Sequence, residues 1–173
     1  MKLLIFLCFF LISPFSLADN PLFKDEILTI SNVDSPEQTG VYQNVSFKQV
    51  REGVWELLDF HIGRPLDLPS ATIEIIVTDS FPVQVFLKVI QGFGASCLID
   101  KGHVNYRLVN KSFEVVLYYE EPNLLDPIAC DQAVFTLEKI IPLPVYGLNA
   151  GNYTYNINDI YTGSFNLKID NKF

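Results

Sequence analysis

The side chains that could perform catalysis are few in this 173-residue sequence, and they are widely spaced. Histidine occurs only as His61 and His103. Without a third imidazole or a free thiolate, a zinc site built on these two would need carboxylates to complete it. The two histidines are distant in sequence and fall in different predicted strands. We therefore expect two partly exposed strand residues and no metal site.

Sequence signatures of nucleophilic or nucleotide chemistry are missing as well. No Gly-x-Ser-x-Gly nucleophile elbow occurs among the serines. The run Gly92-Phe93-Gly94 lacks the rest of the dinucleotide-binding fingerprint. A Ser-His-Asp set assembles in space rather than in sequence, so a small secreted hydrolase, with or without a metal in its mechanism, stays open as an alternative. The expectation is a protein that is not an enzyme and takes no cofactor.

Carboxylates gather in one predicted loop, at residues 120–131. Several acidic oxygens and an asparagine there are ligands that Ca²⁺ accepts, but the spacing of an EF-hand loop is absent. We expect a solvated loop stiffened by prolines. Glu56, Asp59 and Asp67 are the other candidates, as the carboxylate pair of a glycosidase, but acidic residues are too common for their presence to carry weight.

The first 18 residues have the pattern of a secretory signal peptide. Lys2 precedes an uncharged apolar run at residues 3–12, and the small residues Ser16 and Ala18 stand where a signal peptidase cleaves. The run is shorter than the ~20 apolar residues of a membrane-spanning helix. We predict cleavage after Ala18, with residues 19–173 forming a single secreted or periplasmic domain.

Two cysteines remain after that cleavage, Cys97 and Cys130, because Cys8 lies inside the signal. The residues before Cys8 lack the small side chain of a lipoprotein signal, so no lipid anchor is expected. An even number of cysteines in an oxidising compartment predicts a disulfide, which would stabilise the fold by about 3–4 kcal/mol. The alternatives are a reactive thiol or half of a metal site, and neither has helper residues nearby.

The chain is acidic, with a net charge of −8 at pH 7. Removal of Lys2 with the signal leaves 11 basic and 20 acidic side chains. Such a surface repels nucleic acid phosphates and anionic lipid headgroups. We therefore expect no nucleic acid partner. No second apolar stretch approaches membrane-spanning length, so we also expect no membrane insertion after cleavage.

Alternation of apolar and polar residues dominates the sequence from residue 72 onward, which is typical of strands with one buried face. The apolar members are Ile73, Ile75, Val77, Val83, Val85, Leu87, Val89, Val104, Tyr106, Leu108, Phe113, Val115, Leu117, Tyr119, Phe135, Leu137, Ile141, Tyr153, Tyr155, Ile157, Phe165, Leu167 and Ile169. Turn residues separate these sets. The pattern predicts seven or eight short strands in an all-β, immunoglobulin-like antiparallel β-sandwich.

The N-terminal part is ambiguous. Residues 26–31 predict a strand and residues 32–40 a loop. At residues 45–62 the apolar positions fit a helical stripe interrupted by Gly53, and they also fit a strand with one charge on its apolar side. We favour the strand because the rest of the chain is β. Farther along, Tyr118 and Tyr119 are adjacent, so they should face opposite sides of a sheet, and one of them needs a cover.

Several short motifs follow one another over about residues 83–171. They are a glycine turn leading to Cys97, a strand pair, Cys130, an aromatic at Phe135 and the turn Gly147-Leu148-Asn149-Ala150-Gly151-Asn152-Tyr153. In this order they resemble an uncharacterised family of small secreted bacterial β-sandwich proteins. The resemblance implies an immunoglobulin-like sandwich and a Cys97–Cys130 link. It implies no activity, since none is known for that family, and therefore no catalytic residues.

Aromatic residues in predicted turns are the candidate binding residues. They are Phe81, Phe93, Tyr146 and Tyr161. Exposed aromatics at one end of a sandwich form a recognition patch for a glycan or a protein, and the alternative is that these loops pack over the sandwich ends. We expect a non-enzymatic domain that recognises a protein or an envelope component. The other class of function is an assembly subunit that pairs through a sheet edge.

Overall fold

The computed structural model describes residues 21–93, 103–119 and 135–173. Within these ranges the chain forms eleven strands, and it contains no helix that could cross a membrane. The strands are β1 Leu22–Lys24, β2 Ile27–Val33, β3 Tyr42–Arg51, β4 Val54–Ile62, β5 Thr72–Val77, β6 Val85–Phe93, β7 Val104–Val109, β8 Ser112–Leu117, β9 Phe135–Leu143, β10 Gly151–Ile157 and β11 Tyr161–Leu167. The all-β prediction is confirmed. The predicted signal at residues 1–18 and both Cys97 and Cys130 lie outside the described residues.

Two sheets face each other across one apolar core, so the arrangement is sandwich-like, as predicted. One sheet has the strand order β11-β10-β8-β7 and the other has the order β5-β6-β9. Their inward side chains form a single cluster, because alternate residues of each strand point to the same face. Its most buried strand members are Val85, Leu87, Val89, Phe113, Val115, Leu117, Ile141, Tyr153, Ile157 and Leu167. All ten belong to the alternating sets from which the strands were predicted.

One strand pair departs from the antiparallel arrangement that the sequence predicted. Strands β8 and β10 are parallel neighbours, with Phe113 opposite Tyr155. After β8 the chain crosses to the opposite sheet, where it forms β9, and it then returns to the first sheet as β10. That crossover brings β10 back in the direction of β8. The other pairs of the two sandwich sheets are antiparallel.

The N-terminal part forms a third sheet of four antiparallel strands in the order β1-β2-β3-β4. The strand interpretation of residues 45–62 is therefore confirmed, although two strands are present where one was expected. They are joined by Glu52 and Gly53, whose φ of 71° suits a tight connection. The expected total of seven or eight strands was too low mainly because this sheet contains four. Its β3–β4 pairing has register shifts, which explain why no clean period of two is visible there.

Two asparagine side chains form hydrogen bonds with backbone groups, as a neighbouring strand would. Asn171 is fully buried, accepts a hydrogen bond from the Val83 amide (2.7 Å), and donates to the carbonyls of Val83 (2.9 Å) and Val145 (3.1 Å). Asn158 adopts a positive φ of 49°, accepts from the Leu117 amide (2.8 Å) and donates to the Leu66 carbonyl (2.7 Å). Both side chains satisfy backbone groups that would otherwise be buried without partners.

Candidate interaction surface

The N-terminal sheet is fastened to the sandwich around Tyr118. This residue follows β8 and is completely buried, with its ring in direct contact with Gly63, where any larger side chain would collide. Its hydroxyl donates to the Thr39 carbonyl (2.5 Å) and accepts from Gln38 Nε2 (2.8 Å). Burial also raises the pKa of Tyr118, so the hydroxyl keeps its proton and remains a donor. The cover that one of the two adjacent tyrosines needed is therefore the N-terminal segment.

Further contacts to the sandwich lie at the same end of the sheet. Arg107 on β7 donates to the carbonyls of Ser35 (2.6 Å) and Pro36 (2.9 Å), and it is paired with Glu114 on β8. Asn105 on β7 donates to Asn32 Oδ1 on β2 (3.3 Å). These contacts hold the sheet by one end, next to the loop between β2 and β3. The β1–β2 and β3–β4 turns lie at the opposite end of the sheet, away from these contacts.

The strand register sorts the side chains of this sheet onto two faces, because paired residues share a face and successive residues alternate. The apolar face is defined here by Phe23, Leu28, Ile30, Val45, Phe47, Trp55 and Leu57. The charged face is defined by Lys24, Lys48, Glu56 and Asp59. The rings of Phe23 and Trp55 lie edge to face, 5.8 Å apart, which agrees with their placement on one face. The charged face also carries Leu22 and Ile27, and the apolar face also carries Gln49, so the sheet is only partly amphipathic.

Large apolar side chains of this sheet are exposed. Phe23 is 56 % exposed, Leu57 49 % and Trp55 41 %, and all nine residues of β4 are exposed. Ten large hydrophobic residues of β1, β3 and β4 are in this state: Leu22, Phe23, Tyr42, Val50, Val54, Trp55, Leu57, Leu58, Phe60 and Ile62. Among the described residues, the sandwich core cluster includes none from this sheet. On the apolar face Phe23, Trp55 and Leu57 are exposed, whereas Leu28, Ile30 and Phe47 are half-buried and Val45 is buried, so the exposed part of this face lies along β1 and β4.

Among the described residues, the fourth strand of this sheet also has a free edge. Strand β4 stands last in the order β1-β2-β3-β4, and β3 is its neighbour on one side. Proline and lysine commonly protect exposed edges, and β4 contains neither. Its acidic residues are Glu56 and Asp59, and its one histidine is His61. Sequence analysis considered these three residues for catalysis, and the structure places them on an exposed edge strand, with Asp67 in the loop that follows.

Two of the four predicted binding residues come together at one end of the sandwich. Phe81 and Tyr146 both lie against Phe173, with ring centroids 5.2 Å and 6.3 Å away, and all three rings are exposed. Phe173 was not among the predicted binding residues, because this residue follows the last strand and belongs to no predicted turn. We call Phe81, Tyr146 and Phe173 the aromatic patch.

Of the other two predicted binding residues, only Tyr161 has a described side chain. Tyr161 is half-buried against the core, and its hydroxyl donates to the Leu68 carbonyl (2.7 Å). The side chain of Phe93 lies outside the described residues, as do the acidic loop at residues 120–131 and both cysteines. Among the residues chosen from sequence whose side chains are described, Phe81 and Tyr146 belong to the aromatic patch.

The histidines and the described pocket are separate. A pocket of about 70 Å³ has a polar wall formed by Glu37, Glu114, Asn156 and Asp159. Neither His61 nor His103 lines it, and both are exposed. Within the described ranges, no group of three or more histidine, cysteine or acidic residues is placed to hold a metal ion. No observation in this part of the chain favours the hydrolase alternative.

Comparison with known proteins bears on the sandwich. Residues 87–167 match the family model described as the ORF11 beta-sandwich domain. The match begins inside β6 and ends with β11, and the all-β architecture agrees with it. These findings support a β-sandwich family for the chain. The four strands of the N-terminal sheet lie outside the matched residues.

No curated protein and no solved structure matches the chain. The function must therefore be argued from the residues themselves.

Proposed function

We propose that this protein is a non-enzymatic, secreted or periplasmic interaction domain that binds a protein of the cell envelope through its N-terminal sheet. The observation that carries the proposal is the exposure of β4 and of Phe23, the outer part of the apolar face, beside a sandwich that has its own core. Within the described ranges these exposed side chains take no part in the sandwich core. Protein recognition is the purpose that exposed aromatic and aliphatic side chains serve best.

The side chains of the apolar face have the chemistry of binding hot spots. Tryptophan and other aromatic residues often contribute much of the binding free energy of an interface, because they present a large rigid area with few rotatable bonds. Trp55 and Phe23 already support each other through their edge-to-face contact, so a partner finds them partly ordered. Burial of apolar surface contributes roughly 25 cal/mol per Å², which makes such a face a strong contributor once it is covered.

The proposed location follows from the N-terminal sequence. An uncharged apolar run ahead of Ser16 and Ala18 supports export. In that oxidising compartment Cys97 and Cys130 form a disulfide within the sandwich half of the chain. The partner is then a protein that meets the domain after export.

Retention of a partner from an envelope extract tests the proposal. The immobilised domain is compared with Trp55→Ser/Leu57→Ser, which makes the apolar face polar at two exposed positions. The matched control is Ile76→Ser/Ile140→Ser, which changes two exposed apolar residues of the sandwich. We expect the same protein to be retained by the unchanged domain and by the control, and lost by the sheet variant. Equal retention by all three would contradict the proposal.

The aromatic patch is a second candidate surface, favoured by the mutual contact of its three exposed rings. It would recognise a glycan or a protein at the end of the sandwich. The variant Phe81→Ser/Tyr146→Ser tests it in the same retention experiment. Loss of the partner in this variant, with retention in the sheet variant, would assign recognition to the patch and not to the N-terminal sheet.

A further inference from the structure

We infer that the edge of β4 receives an extended strand from the protein partner, and that this added strand alternates apolar and basic residues. The inference rests on the proposed function and makes it more specific, because it names how the partner binds and what its sequence must look like. Three features of the sheet support the inference: the free edge of β4, the difference between the two faces of the sheet, and the acidic side chains of β4.

A strand at the edge of a sheet has backbone N–H and C=O groups directed away from its single neighbour. Strand β4 is nine residues long and holds this position next to β3. An extended segment that aligns with β4 satisfies those groups through a new ladder of hydrogen bonds, and its side chains supply the selectivity. The backbone of the edge therefore requires an extended partner segment, whatever the side chains of that segment.

The two faces of the sheet then define the partner's sequence pattern. Side chains of an added strand alternate between the faces, as those of β4 do. On one face they lie next to Trp55 and Leu57, where apolar residues gain most from burial. On the other face they lie next to Glu56 and Asp59, where a lysine or arginine forms a cross-strand ion pair. The complementary strand is therefore apolar at every second position and basic between.

Charge distinguishes a foreign strand from a second copy of β4. Lys48 on β3 stands opposite Glu56 without forming an ion pair, and among the described residues no other cation lies within ion-pair distance of Glu56 or Asp59. Asp59 Oδ1 instead accepts a hydrogen bond from the Phe60 amide (2.9 Å), which holds that carboxylate against the strand. Pairing of β4 with β4 of another copy would add two more carboxylates and no lysine or arginine. The chain as a whole, at −8, would also repel its copy.

The irregularity of β4 adds a condition on register. Between the pairs Ser46–Asp59 and Phe47–Leu57, the β4 residue Leu58 has no partner on β3. An extra residue of this kind bends the strand and increases its twist, and such bulges are a known means of limiting indiscriminate edge pairing. A strand that follows β4 past Leu58 must match that bend. The edge therefore selects a particular partner strand.

Peptides of defined sequence test the inference. Three peptides of nine residues, the length of β4, are used: alternating Val and Lys, alternating Val and Glu, and the Val/Lys composition arranged in two blocks. Trp55 lies on β4 and is the single tryptophan of the chain, so its fluorescence reports binding at this edge. We expect the alternating Val/Lys peptide to bind about tenfold more tightly than either of the others. Its affinity should fall as salt is added.

Charge reversal on the protein provides the decisive comparison. In Glu56→Lys/Asp59→Lys the preference should change to the alternating Val/Glu peptide. The control Asp67→Lys/Asp79→Lys makes the same change of net charge on two exposed loop residues, and it should keep the original preference. Equal binding of the two alternating peptides, or loss of preference in the control as well, would overturn the inference.

The experiments distinguish failure of strand addition at β4 from failure of the proposed function. If none of the peptides binds while the partner is still lost from Trp55→Ser/Leu57→Ser, the strand-addition inference is overturned and the proposed function stands. If that variant retains the partner, the proposed function itself is overturned.

Discussion

The Tyr118 hydroxyl donates a hydrogen bond of 2.5 Å to the Thr39 carbonyl, and this bond ties the end of β8 to the loop that joins β2 and β3. It connects the element deepest in the sandwich to the base of the exposed sheet. Because the ring of Tyr118 also packs on Gly63 just after β4, both ends of the β3–β4 unit meet at one side chain. The position of the candidate interaction surface relative to the sandwich depends on this residue.

Removal of that hydroxyl should destabilise the protein. In Tyr118→Phe the Thr39 carbonyl and the Gln38 side chain lose their shared partner, at a cost of about 1–2 kcal/mol in the free energy of unfolding. Urea unfolding at neutral pH measures the change. Tyr119→Phe is the control, because it removes the same atom from a half-buried neighbour whose ring lies under the Arg64 guanidinium. A loss of stability as large in Tyr119→Phe would show that the Thr39 contact contributes nothing specific.

The stability of the protein should fall at alkaline pH, partly because of Tyr118. Burial raises the pKa of this hydroxyl above its ordinary value of 10.0, so the unfolded chain loses the phenolic proton first as the pH rises. The contribution is complete below about pH 10 and is lost as the pH rises through the pKa of the folded state. Burial raises the pKa of Tyr155 in the same direction.

The variant Tyr118→Phe isolates this contribution. Its deficit in unfolding free energy relative to the unchanged protein should be constant up to about pH 10 and smaller above it. Urea titrations on both sides of pH 10 measure the two deficits. A deficit that stays constant or grows above pH 10 would contradict the burial argument.

Asn171 should be among the most sensitive polar positions of the sandwich. Its side chain forms three hydrogen bonds, two with Val83 and one with Val145, and it is fully buried. We expect Asn171→Ala to cost about 2–4 kcal/mol, because buried backbone groups lose their partners. The control is Asn166→Ala, which removes one exposed hydrogen bond to Asn152 and should cost about 0.5 kcal/mol or less. Thermal and urea unfolding distinguish these outcomes, and equal costs would show that the buried bonds are not required.

The cysteines of the exported protein should be unreactive until they are reduced. The prediction of a Cys97–Cys130 disulfide means that a thiol reagent added under denaturing conditions labels nothing before reduction and two sulfurs after it. The mass of the same sample should correspond to cleavage after Ala18. Labelling of two thiols before reduction would remove the disulfide from the account, and an uncleaved mass would remove the signal peptide.

The sandwich strands could be predicted from sequence because their alternation is regular. Phe113, Val115 and Leu117 alternate with Ser112, Glu114 and Val116, and all three are buried as expected. In β3 and β4 the register shifts break that period, so one stretch fitted a helix and a strand equally well. The presence of strands was therefore easier to predict where the backbone is regular than where it bends.

Other features depend on contacts between distant residues, which no local pattern shows. The cover over Tyr118 comes from residues almost 80 positions earlier, and Asn171 bonds to a residue 88 positions away. Two of the three rings of the aromatic patch were predicted, because Phe81 and Tyr146 lie in turns that the sequence predicts. The apolar face was missed altogether, because it becomes visible only when the pairing of the four N-terminal strands is known.

Site-specific photo-crosslinking in intact cells tests the central claim most directly. A photoreactive residue at Leu57, on the apolar face, is compared with one at Ile140, which is equally exposed but lies on β9 of the sandwich. The account predicts that Leu57 yields a discrete adduct with one envelope protein and that Ile140 does not yield that adduct. The same adduct from both positions, or from Ile140 alone, would contradict the claim that the N-terminal sheet is the binding surface.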